Sequence, residues 1–173
     1  MPVSMYTVSI PVFMQHLNGL AGVLDKAAAW AAARKVSEAD FLNMRFAPDM
    51  FPLARQIRAA TDHAANAAAR LSGKELLKFS NDETTIAQLK DRIAKTIEFL
   101  KAVKASEIDG TEGKEIKITF PNGNVREFTG QSLLLGNALP NFYFHATTAY
   151  DILRHKGVPL GKRDFLGRMR IKS

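Results

Sequence analysis

The 173-residue chain is 46% hydrophobic, enough for a substantial core, carries a formal net charge of +7, and contains no cysteine. The missing thiols exclude disulfide frameworks, thiolate nucleophiles and cysteine-based zinc sites, and suit a cytoplasmic protein. The charge is local: residues 1–149 hold 17 Lys/Arg against 15 Asp/Glu, leaving +2, and residues 150–173 hold seven against two, supplying the other +5. A basic tail can contact phosphates, but no recognition helix, RNP-like motif or aromatic–basic interleaving accompanies it, so nucleic acid is not the expected partner.

The first 24 residues carry no Lys, Arg, Asp or Glu, yet lack a basic n-region, and Pro11, Gln15, His16 and Asn18 interrupt the apolar stretch. A signal peptide is therefore not expected. Residues 5–35 read as a first helix, with Phe13, Leu17, Leu20, Leu24 and Ala28 on one face and Pro11 bending or delaying its start. Residues 36–50 form a connection in which Asp49 is the expected cap and Pro52 the first-turn residue of a second helix ending near Leu71. Its inward stripe is Leu53, Ile57, Ala60, Ala64, Ala67 and Leu71.

The segment SNDETT offers capping residues for a third helix running to about Ala105. Ile86, Leu89, Ile93, Thr96, Ile97, Leu100 and Val103 make its inner face, and Lys90, Asp91, Arg92, Lys95, Glu98 and Lys101 are assigned to solvent. Residues 114–128 then alternate at Ile116, Ile118 and Phe120 around an Asn122-Gly123 turn, which predicts a short β-hairpin.

A fourth helix is expected over about Gln131–Lys156, kinked or broken near Pro140 and stopped by Gly157. Residues 128–150 are uncharged and long enough to span a bilayer, but their Gln, Asn, His and Thr content fits a buried bundle helix better. A basic tail over 158–173 follows, with Leu160, Phe165 and Leu166 available to tie it back. Its GVPLGKR lacks the spacing and the Ser/Thr of a phosphate loop. The sum is an all-α four-helix bundle with a hairpin insert, one domain over residues 1–173, and no membrane association.

Four histidines are the candidate chemistry. His155 sits in a last helical turn, where it complements the helix dipole. His16 flanks the stripe of the first helix, and His63 flanks that of the second, with Gln56 one heptad earlier on the same strip. His145 is the most inward, with Asn141 four residues before it and Thr148 three after. Polar groups on one strip of an apolar helix need partners when buried, so they are either a site or an internal network. No Glu-x-x-His pair supports a di-iron bundle.

The stretches PVFMQHLNGLAGVLDKA, DMFPLARQI and LPNFYFHATTAYDILRHKGVPLGKRDFLG resemble the DinB/YfiT-like superfamily of helical bundles, in a bacterial branch of unassigned function. The resemblance covers nearly the whole chain. It implies an up-down-down-up four-helix bundle, often homodimeric. Better-understood members bind a divalent metal through three histidines, one on helix two and an H-x-x-x-H pair on a later helix, and some are thiol-dependent isomerases or transferases. By that resemblance His63 stands for the helix-two ligand and His145 for the first of the pair, while Ala149 occupies the place of the third ligand. Tyr150 and Asp151 lie roughly 140° and 120° around the helix from His145. The reading is a degenerate metal site turned into a small-molecule pocket or polar network around His145, with His63, Gln56, Asn141, Thr148 and His16 as candidate neighbours. Two alternatives stay open: a metal- or thiol-dependent enzyme with zinc, nickel or iron and His145 as the catalytic candidate, or a dimeric interaction protein.

Overall fold

The computed structural model describes residues 3–119 and 122–169. Phe120, counted in the strand alternation, and the last four residues of the basic tail lie outside them. The long helices are α1 (Ile10–Arg34), α3 (Leu53–Ser72), α4 (Ile86–Lys101) and α7 (Leu139–His155), with short helices α2 (Glu38–Leu42), α5 (Ala105–Ile108), α6 (Gly130–Ser132) and α8 (Lys162–Leu166) between and after them. In cross-section the bundle runs α1, α4, α3, α7 and back to α1, with α3 on α7 the most extensive contact. The four-helix bundle with a two-stranded insert is the expected fold.

The apolar stripes explain the packing. Phe13, Leu17 and Leu24 of α1, Leu53 and Ile57 of α3, Leu89 and Ile93 of α4, and Phe142 and Ile152 of α7 are all buried. Phe13 meets Phe142 edge-on with ring centroids 5.0 Å apart. Ala60, Ala64, Ala67 and Ala68 are buried as well. Such small side chains keep the surface of α3 low, which lets a neighbouring helix approach closely. The site described below lies against that close pair, α3 and α7.

Several boundaries differ from expectation. Helix α1 starts at Ile10, because Pro11 suits a first helical turn but not an interior. The expected cap Asp49 is not used: Pro52 is the N-cap residue of α3 and contributes no side-chain bond. The 36–50 connection contains α2, whose Ser37 cap accepts from the Asp40 backbone N–H and whose Phe41 is buried beside Trp30. Helix α4 is capped by Thr85 in a reciprocal box with Gln88, and ends at Lys101 instead of near Ala105.

Strands β1 (Glu115–Thr119) and β2 (Val125–Thr129) pair antiparallel, with Ile116 opposite Phe128. Gly123 takes a positive φ of 81° in the turn, a conformation that suits glycine. The fourth long helix is interrupted as expected near Pro140: a π-helical segment (Leu133–Ala138) precedes α7, whose first turn holds the proline. The chain beyond α7 folds back. Leu160 is buried, Phe165 packs on Tyr150, Gln15 Nε2 donates to the Leu166 carbonyl at 3.0 Å, and Lys26 pairs with Asp164 at 2.7 Å. Among the described residues no helix is long and apolar enough to cross a membrane.

Candidate functional site

Helix α3 places Gln56 and His63 beside its apolar stripe, on the flank met by His145 of α7. Gln56 is 1% exposed and both ends of its amide are engaged. Its Nε2 donates to the Phe51 carbonyl at 3.0 Å, and its Oε1 lies 2.7 Å from His145 Nδ1. The Phe51 carbonyl can only accept, so it fixes which end of the amide is oxygen. A ring nitrogen facing that oxygen must carry the proton. Neutral His145 is therefore the Nδ1–H tautomer, and its Nε2 holds the lone pair.

The His145 ring stacks with Phe51, centroids 5.8 Å apart and planes 6° from parallel, and with His63, at 5.6 Å and 13°. Burial, then the charge of His145, pushes His63 down to about 4 from 6.5. Burial, then the nearby Arg55, also lowers His145. His63 is thus neutral near pH 7, and both effects on His145 favour its neutral ring too.

These rings line a cavity of about 590 Å³ together with Arg55, Arg58, Asp62, Asn66 and Asn81. Arg55 lies over the face of Phe51 at 3.7 Å. The opposite wall is held by Arg92, which corrects its assignment to solvent: it is 1% exposed. Its guanidinium donates to Thr61 Oγ1, Asn81 Oδ1, Glu83 Oε1 and Asp62 Oδ1 at 2.5–2.9 Å, and lies over Phe79 at 4.0 Å. Arg58 pairs with Glu83 at 2.7 Å. This network binds the connector before α4 onto α3, and with it Asn81 at the cavity wall. A charge enters a helix interior only when such partners satisfy it, and those partners lie up to 31 residues away, beyond the reach of helical periodicity.

His145, His63 and Gln56 come together; the other candidates do not join them. Asn141 Nδ2 donates to the Asn137 carbonyl at 2.7 Å, and Thr148 Oγ1 to the Phe144 carbonyl at 2.7 Å. Both satisfy their own helix backbone instead of the imidazole. His16 sits elsewhere, among Tyr143, Phe165 and Phe142, with ring centroids 5.0, 5.3 and 6.4 Å away. Burial lowers its pKa, against a hydrogen bond to the Phe165 backbone that raises it. His155 is exposed and meets Phe46 edge-on. Sequence reasoning missed Phe51, Arg55, Arg58, Asp62, Asn66 and Asn81. Of these, the strip spacing Arg55–Asp62 and Arg58–Asp62 on one helix was the available signal.

The three-histidine metal centre implied by the resemblance does not fit this donor set. Two imidazoles are present, stacked nearly parallel, and Nδ1 of one is committed to Gln56. Ala149, buried and without a donor atom, stands at the third position, and Asp62 is engaged by Arg92. Among the described residues no group of three His, Cys, Asp or Glu side chains is arranged to hold an ion.

Comparison with known proteins agrees with this architecture. Residues 5–166 match the family described as Domain of unknown function (DUF1993). The crystal structure of a DinB family member protein from Shewanella denitrificans superposes with a TM-score of 0.87 at 38% identity, over 97% of this chain and 94% of that one. No curated protein matches. The chain belongs to the DUF1993 family and has the fold of a DinB family member.

Proposed function

We propose that this protein binds a small molecule in the cavity around His145, at the place where metal-binding bundles of the superfamily hold their ion. The observation that carries the reading is the Phe51–Gln56–His145 hydrogen-bond chain. It spends two buried polar groups on orienting one imidazole, and leaves that imidazole an unprotonated Nε2 on a ring lining the cavity. A buried histidine needs a partner in any role, and the free Nε2 on the cavity side is what favours a ligand. The stacked rings supply flat apolar walls, and Asn66 and Asn81 supply polar ones, the combination typical of small-ligand sites.

The same geometry favours one enzymatic variant of this reading. A neutral imidazole with a fixed Nε2 lone pair is a general base, and lowering its pKa keeps it unprotonated at neutral pH. Such a base works without a metal. A homodimer, implied by the resemblance, belongs to the proposal as its assembly state.

Ligand-observed NMR with a fragment mixture, on the wild type and on Gln56→Leu, tests the pocket. Hits that bind the wild type and are lost in the variant support it. Stoichiometric zinc, nickel or iron in untagged protein, lost on mutating His145, would replace it with a metalloenzyme.

A further inference from the structure

The charges around the cavity are not all paired. Three guanidiniums, Arg55, Arg58 and Arg92, stand with the carboxylates of Asp62 and Glu83, and Arg58 also feels the charge of Asp82. Glu83 is shared by Arg58 and Arg92, and Asp62 is bonded to Arg92. Arg55 is the one guanidinium of the three in no ion pair. Among the described residues no carboxylate lies within ion-pair distance of it, and its planar head rests on Phe51. That stacking uses the face of the guanidinium and leaves its in-plane N–H groups free, the groups that grip a carboxylate. The first turn of α3, where Arg55 stands, also carries no acidic side chain and no side-chain cap, so the positive end of the helix adds to the same potential.

We propose that the ligand is a small, flat monocarboxylate bearing an O–H or N–H group, anchored by Arg55 and donating to Nε2 of His145. The inference rests on the pocket reading above and names its ligand class. One unpaired guanidinium matches one negative charge, whereas a phosphate dianion calls for two. The Asp62 carboxylate on the same wall selects further against higher anionic charge. The lone pair of His145 asks for a donor, and the flat His63 ring beside it suits a planar body.

The test is a titration of 3-hydroxybenzoate and of its neutral isostere 3-hydroxybenzamide into the full-length chain at pH 7.5. The readout is the ring nitrogen resonances of His63 and His145, on wild type and Arg55→Gln. Arg55 is exposed, so this variant keeps the fold, which the backbone amide spectrum checks. The expected result is a saturable shift of both rings by the acid, with at least about tenfold weaker binding of the amide, and of the acid to Arg55→Gln, a factor equivalent to about 1.4 kcal/mol. Equal binding of acid and amide, or undiminished binding to Arg55→Gln, overturns the carboxylate assignment and leaves the pocket standing. Failure of both probes to move the rings up to their solubility limits overturns both.

Discussion

Gln56 Oε1 faces Nδ1 of His145 at 2.7 Å, so removing either member strands the other. His145→Ala leaves the Gln56 oxygen without its donor and opens the space between Phe51 and His63. A loss of roughly 1–3 kcal/mol in urea denaturation is expected. An unchanged midpoint would mean that water replaces the ring without cost. His63 brings a pH dependence whose sign follows from its depressed pKa. Below pH 6.5 the unfolded chain takes up a proton that folded His63 refuses until about pH 4. Its contribution is complete above 6.5 and is lost as pH falls toward 4, by at most about 3 kcal/mol. Denaturation midpoints measured across that window should fall in the wild type and flatten in His63→Gln; parallel slopes would refute the assignment. The inward place of His145 was legible because an uncharged helix has few places to put an imidazole. Gln56 stood among its candidate neighbours through the strip it shares with His63, but it lies 89 residues away and spacing on α7 alone proposes Asn141 and Thr148 equally.

The connector before α4 has little apolar content to hold it, and Arg92 does the holding. Its four hydrogen-bond acceptors come from α3 and from the connector itself, so the side chain joins two elements through α4. Arg92→Met keeps the volume but takes the cation from Asp62 and leaves Glu83 with Arg58 alone, and should cost about 1–3 kcal/mol. Amide exchange should show the loss first over residues 78–85, and protection there equal to wild type would contradict the role. Helix α8 depends on a smaller feature. A Cβ at Gly19 would lie 2.6 Å from the Phe165 carbonyl, so Gly19→Ala should detach α8 from α1 and raise exchange over 162–167 while the bundle stays folded. The long helices were readable because each carries a continuous apolar stripe. The short helix α2 was not, because its five residues make little more than one turn, and the true end of α4 was not, because buried Val103 continues the apolar spacing past Lys101. Arg92 was misread for a related reason: periodicity sees an arginine among lysines, and only the tertiary fold brings acids to it.

At the scale of the molecule, the alanines of α3 are used within the chain. Ala60, Ala64, Ala65, Ala67, Ala68 and Ala69 of α3 are all buried in the monomer. If the homodimer implied by the resemblance forms, its contacts fall on other surfaces, and Phe144, 57% exposed, is a natural reporter. Light scattering at micromolar concentration should give twice 19.1 kDa, and a mass of one chain at every concentration would remove the dimer. A resident ion would have a different and larger signature. Binding to the folded state alone stabilises it by RT ln(1 + [L]/Kd), about 4 kcal/mol when the free ion is a thousandfold above its Kd. Stripping such an ion lowers the melting temperature of a domain this size by several degrees, roughly 2–4 °C per kcal/mol. Here the bonds that hold α3 to α7 at the site are those of Phe51, Gln56 and His145, none of which needs a cation. Dialysis of untagged protein against a chelator should therefore leave the melting temperature unchanged, whereas Gln56→Leu lowers it with or without the chelator. A chelator-dependent fall that zinc, nickel or iron restores, and that His145→Ala abolishes, would show that two imidazoles recruit their remaining ligands from elsewhere and that the pocket is a metal centre after all.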